Sequence, residues 1–112
     1  MFLWPKPRFT ICVYEEHEDK WVSGEILSSG TWETGISQIL GDILMNRTNS
    51  DTLVLDIGAN LGIHGLYAAK LGYRVWAVEP QEKNLIKVSI WFNHHPIFDI
   101  NLLYLKMQFY SY

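Results

Sequence analysis

Two acidic residues and a cluster of glycines occupy fixed places in the segment TLVLDIGANLGIHGLYAAKLGYRVWAVEP, residues 52 to 80. Asp56 begins the turn DIGANLG, and Glu79 ends the next apolar run, 17 residues after Gly62. Glycines let the backbone approach a ligand closely, and the free N–H groups at the start of the next helix favour an anionic or acceptor group. A carboxylate at the end of the second strand can accept hydrogen bonds from a ribose diol. The segment therefore predicts a site for a ligand that contains a nucleoside.

Two common nucleotide motifs do not fit this turn. The dinucleotide motif G-x-G-x-x-G fails because Asn60 stands between glycines at Gly58, Gly62 and Gly65, and the phosphate-binding loop fails because no Gly-Lys-Ser/Thr is present. A carboxylate at Asp56 would repel a pyrophosphate but suits a ligand with an ammonium group. S-adenosylmethionine combines such an ammonium group with a sulfonium cation and a ribose diol.

The residues VLDIGANLGIHGLYAAKLGYRVWAVEP resemble the first motif and the acidic strand end of class I S-adenosylmethionine-dependent methyltransferases. They are similar, more narrowly, to the FkbM family, whose first motif reads D-x-G-A-N-x-G before a YAAKLG-like helix. The upstream SGTWE is similar to a G-x-aromatic-E segment of that family, and the resemblance covers about residues 9 to 93. It implies that Glu79 holds the ribose hydroxyls and that Glu33 closes over the site. It also implies that Asp56, Gly58, Asn60 and Gly62 line the methionine end, and that Ala59 is a further cofactor-binding residue.

The resemblance implies an activity and leaves an alternative open. The implied reaction is transfer of a methyl group to an oxygen of a small molecule or glycan. The parts of the family that follow the second helix have no counterpart, so the chain is expected to be a truncated, cofactor-binding half without residues for the acceptor. The alternative is a non-catalytic fragment or interaction module. No catalytic residue is assigned, and for His64 a packing role is favoured over one as general base.

The order of elements predicts an α/β fold. TLVLDI and YRVWAVEP lack polar alternation, as parallel strands covered on both faces do, and Trp76 is expected to pack under helices. A helix from about Leu61 to Leu71 is expected to end at Gly72 in the left-handed conformation, and QEKNLIKVSIWFN is a second helix. This β-α-β-α order predicts part of a Rossmann-like, doubly wound parallel sheet. The tail after Asn93 is an ambiguous third strand.

The residues before the first strand are expected to form a separate N-terminal segment, followed by a helix. Residues 1–30 are predicted as an N-terminal segment in which RFTICVY is a strand and WVSGEIL is extended or mixed, together forming a hairpin or an N-terminal flap; residues 31–112 are predicted as the partial methyltransferase domain. Thr34 is the predicted N-cap of a helix. The buried face of that helix is predicted to carry Ile36, Ile39, Leu40, Ile43 and Leu44.

Composition excludes several classes of function. A net charge of -3 without a basic run disfavours nucleic acid, and a single cysteine, Cys12, excludes an intramolecular disulfide or a Cys-based zinc site. His94 and His95 precede a proline and are not expected to bind a metal. No apolar run reaches the roughly 18 to 20 residues of a membrane span, and no signal peptide is recognised, so a cytoplasmic location is the default expectation. An uncovered strand edge predicts possible self-association.

Overall fold

The computed structural model describes residues 11–47, 51–94 and 100–104. This part of the chain is α/β, as predicted. Its elements, in order, are α1 (Val22–Ser29), α2 (Thr34–Met45), β1 (Leu53–Ile57), α3 (Ile63–Lys70), β2 (Arg74–Glu79), α4 (Glu82–His94) and β3 (Ile100–Tyr104). The three strands form one parallel sheet in the order β1-β2-β3. The parallel pairing of the two predicted strands is confirmed, and β3 lies in the tail that the sequence left ambiguous.

The register of the sheet brings the predicted site residues to one edge. Leu53 pairs with Arg74 and Ile57 with Val78, so the carboxyl ends of β1 and β2 lie side by side. Helices α3 and α4 each follow a strand and connect it to its parallel neighbour. The turn after β1 and the loop after β2 therefore meet at the same edge.

Helix α3 packs closely against the sheet. Its buried residues include Leu66, Tyr67, Ala68 and Ala69, which join the core with Val75 of β2. The close approach depends on Gly65, where an added Cβ would lie 3.0 Å from Oδ2 of Asp56. The helix ends as predicted: Gly72 has φ +94°, and its N–H and that of Tyr73 donate to Ala69 and Ala68 carbonyls at 2.9 and 3.1 Å. These two bonds form a Schellman motif.

The prediction that both faces of the strands are covered is wrong. Val75 and Ala77 of β2 are buried on the face towards α3. On the opposite face, however, four large apolar side chains have 42 to 74% of their surface exposed: Leu53, Leu55, Ile57 and Trp76. The expected position of Trp76 under a layer of helices is therefore also wrong. We call these four residues the open face.

The predicted N-terminal hairpin is also wrong over the described residues. Residues 11–15 form no strand, and WVSGEIL lies largely in helix α1. The physical reason is Asp19, whose carboxylate accepts the backbone N–H groups of Val22 and Ser23 at 3.2 and 2.9 Å. These bonds satisfy donors that would otherwise be unpaired at the start of a helix. Residues 1–10 of the predicted N-terminal segment lie outside the described residues.

Helix α2 forms where predicted, but its buried face differs. Ile36, Ile39 and Ile43 are 47 to 62% exposed, whereas Ser37 and Gly41 are buried together with Leu44. The face with small residues packs towards α3, because small side chains permit close contact between the helices. Thr34 is the first helical residue, and Glu33 occupies the N-cap position that was predicted for Thr34. Across the described ranges, no helix combines the length and apolar character needed to cross a membrane.

Candidate functional site

The glycine turn after β1 is fixed to the end of β2 by backbone hydrogen bonds. The N–H groups of Gly58 and Ala59 both donate to the carbonyl of Val78, at 2.8 and 3.0 Å, and the N–H of Gly62 donates to Ala59 at 2.7 Å. Gly58 and Gly62 have φ values of +75° and +81°, which glycine adopts without steric cost. The sequence DIGANLG therefore turns sharply between strand and helix.

Glu79 joins the two loops at this edge of the sheet. Its Oε2 accepts the N–H of Asn60 at 2.6 Å, and its Oε1 accepts the N–H of Gln81 at 2.8 Å. Only 4% of the residue is exposed. Each carboxylate oxygen has a second acceptor position, through which Glu79 could bind a hydroxyl group. Glu79, the residue predicted to bind a ribose, thus lies against the glycine turn.

Asp56 lies behind the turn. Its Oδ2 accepts the N–H of Gly65 at 3.0 Å, at the start of α3. Burial raises the pKa of the Asp56 carboxyl; the charge of His64 and the Gly65 hydrogen bond oppose this rise, and the charge of Glu79 adds to it. Asp56 stabilises the junction of strand and helix but does not line either of the cavities described below.

A cavity of about 220 Å³, which we call the turn cavity, lies beside the glycine turn. Four of the seven predicted site residues line it, namely Glu33, Gly58, Ala59 and Asn60; Asp56, Gly62 and Glu79 lie next to it but do not. The other lining residues are Val22, Trp32, Leu61, Ile63 and His64. The structure therefore brings Glu33 and the glycine turn, which are distant in sequence, to one site.

Two residues of the turn cavity have a strained backbone. Glu33 has φ +51° and Asn60 has φ +54°, and they are the non-glycine residues with positive φ within the described part of the chain. Such conformations cost about 1–3 kcal/mol each and concentrate at functional sites. Asparagine tolerates this region, but glutamate does so rarely. That both strained residues line one cavity supports a function for it.

His64 is held in the turn cavity by helix α2. Its Nε2 lies 3.2 Å from Oγ of Ser37, and the Ser37 hydroxyl donates to the carbonyl of Trp32 at 2.9 Å. A serine, a histidine and the acid Asp56 thus lie close together, but Ser37 is 0% exposed and its proton is engaged by a carbonyl. This arrangement orients the imidazole and does not form a nucleophilic triad.

A second cavity, the outer cavity, has a volume of about 410 Å³. It shares Val22 and Asn60 with the turn cavity. Its remaining lining residues are Tyr14, Glu18, Asp19, Trp21, Gln81, Lys83 and Asn84. Sequence reasoning missed this part of the site, because most of its residues come from a segment that was predicted as a separate hairpin. Trp21, which is 77% exposed, is the largest apolar side chain in this wall.

No metal site is found among the residues that the structure describes. They contain no group of three or more His, Cys, Asp or Glu side chains that could hold an ion. Of the histidine pair considered above, His95 lies outside the described residues. The titratable side chains that line the two cavities are the acids Glu18, Asp19 and Glu33 together with Tyr14, His64 and Lys83.

Comparisons with protein-family models, with curated proteins and with solved structures gave no match. The sequence motif and the geometry of the two cavities are therefore the features of this chain that bear on its function.

Proposed function

We propose that this chain binds S-adenosylmethionine where the two cavities meet at Asn60, as part of a methyltransferase of the FkbM type. The observation that carries the proposal is that predicted site residues from two separate stretches of sequence line the same cavity. Glu33 and the residues Gly58 to Asn60 both line the turn cavity, at the carboxyl end of β1. Ligands of open parallel sheets bind at such an edge.

The chemistry of each cavity suits one part of the ligand. The carboxylate of Glu33 can pair with the ammonium group of the methionine end, and among the described residues no Lys or Arg lines the turn cavity to repel it or the sulfonium. The ribose would lie at Asn60, which lines both cavities and whose backbone N–H is held by Glu79. The adenine would then extend into the outer cavity, where Trp21 offers an aromatic surface.

The proposed reaction is a displacement at the methyl carbon. A hydroxyl oxygen of a small molecule or glycan attacks the carbon, and the bond to the sulfonium sulfur breaks with its electron pair moving to sulfur. The hydroxyl proton passes to solvent water, and the products are a methyl ether and S-adenosylhomocysteine. The protein contributes mainly by holding the reacting atoms in line. The order β1-β2-β3, with a helix in each connection, is the order of one half of a doubly wound sheet, which supports the proposed Rossmann-like fold.

Calorimetric titration tests the proposal directly. We expect saturable binding of S-adenosylmethionine and of S-adenosylhomocysteine to the full chain, and none of NADH. Glu33→Gln should weaken the binding of both ligands, since each has the ammonium group. Glu25→Gln is the matched control, because Glu25 is an exposed acid on α1 that lines neither cavity. Absence of binding by the unmodified chain would refute the proposed function.

The open face supports a second candidate function, that of a non-catalytic interaction module. Parallel sheets are generally covered on both faces, and exposed apolar patches mark sites of association. Leu55 and Ile57 are 53 and 74% exposed at the centre and end of β1. A chain that associates through this face but binds no S-adenosyl ligand would fit this second candidate.

A further inference from the structure

A chain of side-chain hydrogen bonds leads from the N-terminal segment to the glycine turn. The hydroxyl of Tyr14 donates to Oδ1 of Asn84 at 3.0 Å, across 70 positions of sequence. Nδ2 of Asn84 then donates to Oδ1 of Asn60 at 3.2 Å. Asn84 is only 6% exposed, so it contacts both partners away from bulk water, where such bonds are costly to lose.

Asn60 needs this support more than other residues of the turn. Its left-handed backbone is strained, and its N–H is already held by Glu79. The bond from Asn84 restrains the side chain as well, so that both the backbone and the amide group of Asn60 are fixed. Asn60 lines both cavities, and any loss of its orientation would alter both.

Tyr14 is itself held firmly against helix α4. The ammonium groups of Lys87 and Lys83 lie 4.7 and 5.7 Å from the centre of its ring, within cation–π range. Lys87 also donates to the carbonyl of Val13 at 3.2 Å, and the N–H of Tyr14 donates to Oγ of Ser23 at 3.1 Å. Burial raises the pKa of Tyr14 above its ordinary 10.0, and nearby acids add to this rise. The hydroxyl therefore remains a donor at neutral pH.

We propose that Tyr14 and Asn84 are positioning residues: they hold Asn60 in its binding conformation and thereby link ligand binding to the docking of residues 11–15 on α4. The identity of the ligand, S-adenosylmethionine, rests on the proposed function, whereas the positioning of Asn60 does not. Coupling between two sites is reciprocal. A ligand that contacts Asn60 therefore strengthens the docking of the N-terminal segment, and a docked segment strengthens ligand binding.

The first test needs no ligand. Tyr14→Phe removes the hydroxyl and keeps the ring with its two lysines. Tyr73→Phe is the matched control, because the Tyr73 hydroxyl also donates to backbone carbonyls, of Leu44 and Arg47, but away from both cavities. We expect the amide hydrogen of Asn60 to exchange about 2- to 10-fold faster in Tyr14→Phe, the effect of one lost hydrogen bond. Tyr73→Phe should lower the melting temperature without a selective effect at Asn60. Equal exchange at Asn60 in Tyr14→Phe and the unmodified chain would overturn the proposal.

The second test measures the coupling with S-adenosylhomocysteine as the probe. Tyr14→Phe should weaken its binding by about 2- to 10-fold, and Asn84→Ala by more, while Tyr73→Phe leaves affinity unchanged. The ligand should also slow amide exchange in residues 11–15 of the unmodified chain, and slow it less in Tyr14→Phe. Binding that is equally tight in Tyr14→Phe would overturn the proposed coupling. If the unmodified chain does not bind the probe, the proposed function fails, and the exchange rate at Asn60 still decides whether Tyr14 positions the turn.

Discussion

The backbone N–H of Asn60 lies 2.6 Å from Oε2 of Glu79, although the two residues are 19 positions apart. This bond joins the strained residue of the glycine turn to the acid at the end of β2. Since the other carboxylate oxygen accepts the N–H of Gln81, one side chain holds both loops of the candidate site. Glu79 is therefore expected to affect stability as well as ligand binding.

Glu79→Gln should remove one of the two hydrogen bonds through which Glu79 joins these loops. Glutamine has one acceptor oxygen, so one of the two backbone N–H groups would face the NH₂ group of the new side chain and lose its partner. A buried donor without a partner costs about 1–3 kcal/mol, and we expect a loss of that size in the free energy of unfolding, measured in urea. Binding of S-adenosylhomocysteine should also be lost. Glu82→Gln, at an exposed acid in the first turn of α4, is the control: it should leave binding unchanged and lower stability by less than about 1 kcal/mol, the usual contribution of an acid at a helix N-terminus. Unchanged stability of Glu79→Gln would contradict the structural role.

Asp56→Asn should reveal the cost of a buried carboxylate. Burial raises the pKa of Asp56 above the ordinary 3.8. At a pH between 3.8 and the raised pKa, Asp56 is therefore mostly protonated in the folded protein and mostly ionised in the unfolded chain. The contribution of Asp56 to stability is therefore greatest below pH 3.8 and falls as pH rises through the raised pKa. Asparagine keeps the acceptor for the N–H of Gly65 without the charge. We expect the variant to be more stable than the unmodified chain near neutral pH.

Urea midpoints over a range of pH check this prediction for Asp56. The advantage of Asp56→Asn should shrink as the pH falls and disappear below pH 3.8, where the carboxyl is protonated in both folded and unfolded chains. An advantage that grew on acidification would show that the ionised carboxylate is stabilised in the fold, contrary to the direction of the shift.

Gly62→Ala should strain the start of α3. At φ +81° an alanine is unfavourable, and its Cβ would lie 3.0 Å from Cγ2 of Val88. We expect a loss of about 1–3 kcal/mol in the free energy of unfolding. Gly35→Ala is the contrasting variant, because Gly35 lies in α2 with nothing within 4 Å of an added Cβ. It should raise stability by up to about 1 kcal/mol. Thermal or urea unfolding would decide, and equal stability of the two variants would be inconsistent with this account.

Leu55→Lys tests association through the open face. Leu55 is 53% exposed at the centre of β1, so the lysine can be accommodated with little loss of folding while its charge opposes burial against another apolar surface. Any concentration-dependent increase in sedimentation coefficient of the unmodified chain should be reduced in the variant. Ile86→Lys, at a residue of α4 that is 54% exposed, is the control and should leave the sedimentation unchanged. Equal effects of both lysines would point to net charge instead of the open face.

The parts of the fold that sequence predicted correctly depend on local signals. The apolar runs of β1 and β2 fix two parallel strands, and Gly72 in the left-handed conformation ends α3 as expected. The predictions that were wrong concern features that depend on contacts between segments. In α2 hydrophobicity predicts a buried isoleucine face, but the face with Ser37 and Gly41 packs in the interior. In α1 the residues WVSGEIL suggested an extended or mixed segment, whereas the carboxylate of Asp19 accepts N–H groups at the start of a helix.

The candidate site was predictable only where the residues form a motif. The glycine turn and Glu79 are recognisable from glycine spacing and from an acid at a strand end. Glu33 came from the resemblance of a short upstream segment. Tyr14 and Asn84 carry no such signal, since the contact between them spans 70 positions. Their contribution depends on how the N-terminal segment lies against α4, which no local pattern in this sequence specifies.

The carbonyl of Val78 accepts the N–H groups of both Gly58 and Ala59, and this shared acceptor has a consequence for folding. If β1 were shifted by one residue along β2, the two amides would lose this carbonyl and the carboxylate of Glu79 would no longer reach Asn60. A misaligned sheet would then lack the hydrogen bonds that hold the glycine turn to the end of β2. A ligand that binds at this edge selects correctly aligned molecules from a refolding mixture, because it stabilises only the form that it binds. If the proposed ligand binds at this edge, its affinity depends on the alignment of β1 with β2.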